Sequence, residues 1–556
     1  MARRPVFTGA RLVDTTDELT LRCDVLVVGG GPAAAWATLA ATETGASVVV
    51  VDKGYLGASG VAATAGVGHW LVPPVAERRD DEIGRREETG RFLTDRVWAD
   101  AILDEAWERT ALIEEWGFRS SQPARRERGP FAGRPGERSF SGPAPDYLRF
   151  LRGRVKKAGA VVLDHSPAIE LLSDASGQAS GAKGYQRQLG RPWTVYASAV
   201  VLATGGTTWQ SHSLGGDVNT GDGHLMAAEL GARLSSMEFS NFYGMVPFGT
   251  SMDKNGFFIS ASYWDHRGRP IEYHDLHRSR AELLGASLRG TVTARFAQFG
   301  PDMWPVLRDA MPNFFMVTDK LGIDPFTERF PIDWVQEGTV RGTGGIRLVD
   351  RDAATGVPGL YAAGDVTARD RLVGAATGAG GPNLAWAVAT GTWAGRAAAR
   401  YAVGRGVELG DVAPAGTKGV LDGARHRYDE GIDDVAEAVR GEILPIDKAV
   451  FRSDDGLRRS ISLLDGLWER HTLTPATPGE ALRARETAAM LAMGRWAVHS
   501  ALARTETRGM HTRVDHPAED QTQRHRLLSG GLDEVWVRPD PESPRVRADA
   551  AVRVAS

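Results

Sequence analysis

A single cysteine, Cys23, serves a chain of 556 residues. That excludes an internal disulfide, a thiolate-held iron–sulfur cluster and a cysteine-based structural zinc site. Any iron–sulfur chemistry would have to live on a partner, and Cys23, beside an apolar run, reads as small core filling. Lysine is scarce as well: eight of the 66 basic residues are lysine and 58 are arginine, so arginine clusters follow from composition and carry little information. No window of about 18 uncharged apolar residues occurs, and the N-terminal arginines are not followed by the ~7–15-residue apolar stretch of a secretory signal. The expectation is a cytoplasmic protein with no membrane association. Charge is balanced, 66 basic against 70 acidic residues, which gives no general affinity for nucleic acid. P-loop, GxSxG and HExxH motifs are missing too.

What the chain has in excess is glycine: 66 residues, about 12% against a usual ~7%. At ~100–200 residues per domain the length suits about three domains, and linkers could absorb some of this glycine. Most of the glycine clusters, however, abut β-branched apolar runs, which favours sites over linkers. In the first block, Asp24-Val-Leu-Val-Val leads into Gly29, Gly30 and Gly31, then Pro32 and an Ala-rich helix pattern containing Ala33 and Ala34. Gly29, Gly31 and Ala34 fill the G-x-G-x-x-G/A pattern: a tight turn, a backbone that a pyrophosphate can touch, and close packing of helix on strand. The next strand signal, residues 47–51, ends in Asp52, placed to bond a ribose hydroxyl. Later blocks, Ala203-Thr204-Gly205, the Gly-Asp222-Gly turn and Gly364-Asp365, suit a dinucleotide longer and more deeply buried than a nicotinamide cofactor.

The ordered motifs resemble the succinate dehydrogenase/fumarate reductase flavoprotein family, which also includes L-aspartate oxidase, adenylylsulfate reductase alpha subunits and flavin ketosteroid dehydrogenases. Beyond Gly29–Ala34 and Asp52-Lys53, the segment Ser59-Gly60-Val-Ala-Ala-Thr-Ala-Gly66 is similar to the family's flavin loop, and residues 97–118 to its amphipathic helix pair. Met237-Glu-Phe, Gly344-Gly345-Ile and PGLYAAGD follow in the family's order, and Glu506 to Pro517 is similar to the segment opening the family's C-terminal region. The resemblance implies an α/β fold: a Rossmann-like FAD-binding domain in two stretches (20–240 and 340–402), an inserted α+β capping domain (241–339), a C-terminal helical region (419–530) and a tail (531–556). The helical spacing of apolar residues over 420–440 and 479–505 agrees, residues 403–418 read as a connector, and Glu534-Val-Trp-Val-Arg reads as a short edge strand. The implied cofactor is FAD, with Asn383 and Leu384 joining the residues above at its site.

Ser59-Gly60 stands where the respiratory enzymes carry the histidine of the covalent flavin bond, so FAD is expected to be held non-covalently. The dicarboxylate pocket departs further. The proton-shuttling arginine aligns with Arg289, whose alternative reading is a solvated helix charge. The substrate histidine aligns with Tyr243. The histidine of H-Y-x-M-G-G has no counterpart, with Glu337 and Arg341 near its place, and the carboxylate-clamping arginine falls on Gly378. A C4 dicarboxylate would lose several kcal/mol without those partners. The expectation is hydride transfer between flavin N5 and a small organic substrate that is not a C4 dicarboxylate, with Arg289, Tyr243, Arg341 and Glu337 as catalytic candidates and no metal. The alternative is the flavoprotein subunit of an electron-transfer complex, similar to adenylylsulfate reductase, with an iron–sulfur partner. The electron donor or acceptor, and homo-oligomer versus small redox partner, stay open. His69 reads as a packed loop histidine or a flavin contact, and His511 with Arg513 as a tie between the C-terminal region and the flavin domain. His274 and His277 read as a solvated face rather than a metal pair.

Overall fold

The computed structural model describes residues 11–12, 18–119, 141–254, 256–273, 278–378, 380–403, 405, 412–416, 431–470 and 477–543. Valine-rich runs with no polar side become the parallel centre of a large sheet, as expected where helices cover both faces. Leu19–Val28 lies between Val48–Val51 and Arg191–Leu202, all parallel, and Val161–Leu163 extends the sheet beyond Val48–Val51. Leu360–Ala362 pairs in parallel with the end of Arg191–Leu202, so the later stretch of chain returns to the same sheet. On the far side, Ala179–Gln186 and Ala168–Asp174 add an antiparallel meander.

The helix Pro32–Thr42 packs against the helix Gly380–Ala402, from the other end of the sequence. A Cβ on Gly391 would meet Ala33 O at 2.5 Å, and one on Gly395 would meet Ala37 O at 2.1 Å. Only glycine lets the two backbones come this close, which joins the two stretches into one core.

Between the stretches, Phe242–Pro247, Ser262–Trp264, Pro270–Ile271, Thr293–Arg295 and Phe330–Glu337 build a separate five-stranded antiparallel sheet. Its core is aromatic, with Phe257, Phe258, Phe296, Phe314, Phe326 and Phe330 in mutual ring contact. The C-terminal part contributes the helices Ile432–Ile443, Asp454–Arg470 and Pro478–Ala503. Trp536–Pro539 forms the edge of a small sheet with Leu527–Gly530, the edge strand expected there. The connector holds an unforeseen strand, Val412–Pro414, on the edge of the large sheet, where a proline needs no hydrogen-bonded N–H. Residues 97–118 form one helix, Arg96–Glu115, rather than a pair, preceded by Ala76–Thr89. Residues 420–430, His274 and His277 lie outside the described residues.

Candidate functional site

The parallel strands end together. Val28, Val51, Leu202 and Ala362 are each followed by residues bordering one long cleft, which encloses about 1450 Å³ of space continuous with solvent. Ligands of open α/β sheets bind at this carboxyl edge. Gly29, Gly31, Pro32, Ala33, Asp52, Lys53, Ser59, Gly60, Gly66, Ala203, Thr204, Gly205, Asp222, Gly364, Asp365, Asn383 and Leu384 all border the cleft. Ala34 does not: it is fully buried one residue deeper in its helix, where its small side chain serves packing.

Two glycines show how the cleft is shaped. Gly29 has φ +123° and its missing side chain would lie 2.2 Å from Ala203 O, so the turn itself requires glycine. Gly31 has an ordinary φ of −81°, and nothing lies within 4 Å of where its Cβ would be; its bare face is turned to open space. It is also the N-cap of Pro32–Thr42 and offers that helix no side-chain cap. The helix therefore presents uncapped N–H groups and the positive end of its dipole, as a pyrophosphate needs.

Asp52 Oδ1 accepts from Ser59 Oγ at 2.7 Å and from the Gly54 N–H at 2.9 Å, while burial pushes its carboxyl up from the usual range. Lys53 is committed to protein partners: Asp222 at 2.6 Å and Glu486 at 2.8 Å, so it ties the long C-terminal helix to the cleft wall. Thr204 Oγ1, Asn219 Oδ1 and Asn383 Oδ1 are buried on cleft residues without a protein partner. Orphaned polar atoms, uncapped N–H groups and a bare glycine face together fit FAD. No histidine, cysteine or tyrosine is among the described residues bordering the cleft, so the side chains able to bond a flavin covalently are missing there.

At one end the cleft becomes charged. Lys254, Glu337 and Arg341 border it. Lys254 Nζ bridges Glu337 Oε2 at 2.6 Å and Asp253 Oδ2 at 2.7 Å, and Arg341 Nε lies 3.8 Å from Glu337 Oε1. Both carboxylates are almost wholly buried. For Glu337, burial is outweighed by Lys254, Arg341 and Arg280, which hold its carboxyl below the ordinary value. For Asp253, burial and the nearby Glu337 push the carboxyl up to about 6. The pair thus shares unequal protonation, Glu337 ionised and Asp253 the readier proton carrier. Phe242 carries two guanidinium groups over its ring, Arg280 at 4.5 Å and Arg341 at 5.2 Å from the centroid. Arg280 also donates to Tyr243 O, and its Nε has no partner.

The structure brings Glu337 and Arg341 together and leaves the other two candidates elsewhere. Arg289 is exposed just past the helix Arg278–Ser287 and borders a separate hollow with Arg91, Phe451 and Glu519. Tyr243 points to the opposite side of its strand from Phe242; its hydroxyl donates to Leu444 O at 2.7 Å. Strand alternation places Phe242 rather than Tyr243 beside Arg280 and Arg341.

Three residues of the charged end were not anticipated: Lys254, Asp253 and Arg280. Lysine scarcity was the available signal for the first, since two of only eight lysines border this cleft. For Arg280, the available signal is its place in the first turn of the helix Arg278–Ser287, ahead of Leu283, Leu284 and Ala286, whereas Arg289 lies beyond that helix.

Gly378 carries no clamp, and the Asn383 amide oxygen stands 2.2 Å from where its Cβ would be. His69 is a packed loop histidine, with Nδ1 3.2 Å from Thr110 Oγ1 and its ring edge-on to Tyr147. His511 bonds Arg452 Nη1 through Nδ1 and Arg504 O through Nε2, with Phe239 against its ring, while Arg513 reaches carbonyls at the end of Pro478–Ala503. His511, through Phe239, joins the C-terminal region to the main body as expected, whereas the hydrogen bonds of Arg513 to Asp515 and these carbonyls stay within the C-terminal region.

The comparisons with known proteins follow this geometry. Residues 24–261 match the FAD binding domain family, and residues 441–536 match the family described as Fumarate reductase flavoprotein C-term, together more than half of the chain. The chain is 27% identical to L-aspartate oxidase of Streptomyces coelicolor over 97% of both chains. It is also 27% identical to a fumarate reductase flavoprotein subunit of Mycobacterium tuberculosis, over 92% of this chain and 96% of that one. In fold it resembles E. coli quinol fumarate reductase FrdA (TM-score 0.74, 20% identity, 94% and 96% covered). It resembles adenylylsulfate reductase of Archaeoglobus fulgidus equally well (TM-score 0.76, 16% identity, 98% and 99% covered). No helix among the described residues is long and apolar enough to cross a membrane. With the glycine-edged cleft, the fold and both halves of the sequence in agreement, the chain belongs to the succinate dehydrogenase/fumarate reductase family of FAD-dependent oxidoreductases.

Proposed function

We propose that the chain, with residues 241–339 as its capping domain, oxidises or reduces a small organic substrate that is not a C4 dicarboxylate. The observation that carries this reading is Gly378, which has no side chain where the resemblance implies a clamping arginine and has the Asn383 amide against it. That no histidine is among the described residues bordering the cleft, and that Tyr243 is committed to Leu444, point the same way. Relatives named for aspartate oxidation and fumarate reduction are similar over the whole chain, so the difference rests on these positions.

FAD, when bound, supplies hydride exchange at its N5. The protein's own part is acid–base and electrostatic. Lys254 presents its ammonium at the cleft wall and moves the proton that accompanies hydride transfer. Asp253 and Glu337, behind and beside it, hold that ammonium in place and set which of them is protonated. Arg341 and Arg280, braced on Phe242, supply positive potential for a carbonyl, a hydroxyl or one carboxylate.

The test is anaerobic flavin bleaching, and reoxidation of the reduced enzyme, against hydroxy acids, ketones, succinate, aspartate and fumarate. Hydroxyl or carbonyl compounds are expected to change the flavin spectrum; interconversion of succinate and fumarate at ordinary rates overturns the reading. The pH profile of kcat/KM should show an ionisation near 6, from the carboxyl raised by burial, that disappears in Asp253→Asn. A second reading, a flavoprotein subunit handing electrons to an iron–sulfur partner, is favoured by the lone buried Cys23, which can hold no cluster. Reduction that stalls at one flavin equivalent with oxygen as sole acceptor supports it, and sustained turnover rejects it.

A further inference from the structure

Where the strands Phe242–Pro247 and Phe330–Glu337 lead into and out of the inserted sheet, a second cavity opens between that hinge and the C-terminal helices, with about 1180 Å³ of space continuous with solvent. Arg452 borders it and is 6% exposed. Both of its hydrogen bonds leave from Nη1, to Glu238 O at 2.7 Å and to His511 Nδ1 at 2.6 Å. Among the described residues, no carboxylate lies within ion-pairing distance of Arg452. The buried Glu238 carboxylate acts on Arg452 from farther off and is itself paired with Arg504 at 2.8 Å. A buried guanidinium with no carboxylate in contact is costly unless an anion joins it.

The walls also hold acceptors without donors. Asn241 is oriented by two bonds from Nδ2, to Ala449 O at 2.8 Å and Met510 O at 3.1 Å, which leaves Oδ1 unpartnered. Gln336 is oriented likewise, Nε2 donating to Ile443 O and the Tyr243 hydroxyl, which leaves Oε1 unpartnered. Ser240 Oγ has no partner either. Because both amides are fixed by carbonyls or hydroxyl, neither can flip to cure its orphan oxygen. The lining carries charge of both signs: Lys448 pairs with Glu442 Oε1 at 2.7 Å and Asp447 is exposed at the rim, while the exposed Arg459 has no carboxylate within ion-pairing distance among the described residues.

We propose that this hinge cavity is a second ligand site, distinct from the flavin cleft, for a small carboxylate that also bears a hydroxyl or amino group. The carboxylate pairs with Arg452, and the N–H or O–H donors satisfy the oxygens of Asn241 and Gln336. Gln336 adjoins Glu337, and Asn241 adjoins Phe242, so an occupant braces the two strands that carry the charged end of the cleft.

The test is calorimetric titration of the FAD-loaded full chain with L-lactate and L-serine, which separate the hydroxy from the amino form. Acetate and ethanolamine serve as controls, each carrying half of the required chemistry. Saturable binding of at least one of the first two at millimolar or tighter affinity is expected, with both controls at least about tenfold weaker. Arg452→Gln should weaken binding at least about tenfold, as loss of a charge-assisted pair implies. Should that variant fail to fold, the charge reversal Arg459→Glu at an exposed position should still weaken binding several-fold, and the loss should be salt-dependent. Lys254→Met, in the flavin cleft, should leave this binding unchanged. No saturable binding by either probe overturns the proposal. So does binding that survives the charge reversal, or binding that Lys254→Met abolishes.

Discussion

Arg280 and Arg289 differ in what surrounds them. Arg280 is held against Phe242 and the Tyr243 carbonyl, and burial pushes its guanidinium pKa down, whereas Arg289 is exposed and borders another hollow. Arg280→Ala is expected to lower kcat by about 10²-fold or more, within the range for a lost electrostatic or proton-transferring group, with flavin content unchanged. Arg289→Ala should lower it less than about threefold, since exposed charges in high dielectric contribute little. Steady-state kinetics beside the flavin absorbance of each purified variant decides it, and a reversed order returns the role to Arg289. At this scale the residues bordering the glycine-edged part of the cleft were legible in the sequence, and of its charged end only Glu337 and Arg341 were. Phosphate and ribose contacts use backbone and short spacings that a sequence displays. The charged end joins residues 253–254, 280 and 337–341, and only the inserted sheet brings these distant segments together.

Among the elements, the Gly29–Gly31 turn separates two roles that one motif conceals. Gly31→Val meets open space at an allowed φ, so the chain should fold with nearly unchanged stability and lose FAD, seen as a collapsed ratio of flavin to protein absorbance. Gly29→Val places a side chain on Ala203 O at φ +123°, and should cost several kcal/mol of stability whether or not FAD is present. Thermal melts of both apoproteins separate the cases; equal melting points would show that the turn is not strained as described. The helix Gly380–Ala402 shows why a glycine-rich helix pattern is ambiguous by itself. Gly391 and Gly395 look helix-weakening until Ala33 and Ala37 are found against them. The strand Val412–Pro414 was missed because an edge strand of three residues ending in proline leaves no periodic trace.

Across the whole molecule, the C-terminal region is fastened by buried charge. Arg504 meets Glu238 at 2.8 Å, and Glu506 bridges Arg504 and Arg508, all fully buried. His511 sits among these cations, and burial first, then Arg452 and Arg504, hold its pKa well below 6.5. Burial likewise pushes His224 down to about 3. Both are neutral in the folded chain and take up a proton when it unfolds below about pH 6.5. Their contribution to stability is therefore constant above that pH and declines as pH falls, by at most about 1.4 kcal/mol per unit for each group. Asp253 acts in the opposite sense: its raised carboxyl pKa favours the folded state most below pH 4 and less as pH rises through 6. Asp52, Glu170, Glu238 and Asp365, also raised by burial, pull the same way as Asp253. His511→Gln should therefore remove the share of the stability loss between pH 7 and 5 that comes from His511, leaving a flatter or rising profile. An unchanged slope in scanning calorimetry of the variant would show His511 to be protonated in the fold.

The sequence by itself determined the cofactor and its sheet, because dinucleotide binding is written in local order: strand, glycine turn, helix, strand, acid. It also places a glycine, Gly378, where the family resemblance implies a clamping arginine, since a missing side chain is visible without coordinates. Only the tertiary structure decided which polar groups share the charged end of the cleft. Lys254, Asp253, Glu337, Arg341 and Arg280 lie on segments that meet through long-range strand pairing, and the face each strand presents follows from its register. That register turns Tyr243 toward Leu444 and sets Phe242 beneath the arginines, because successive side chains on a strand point to opposite sides.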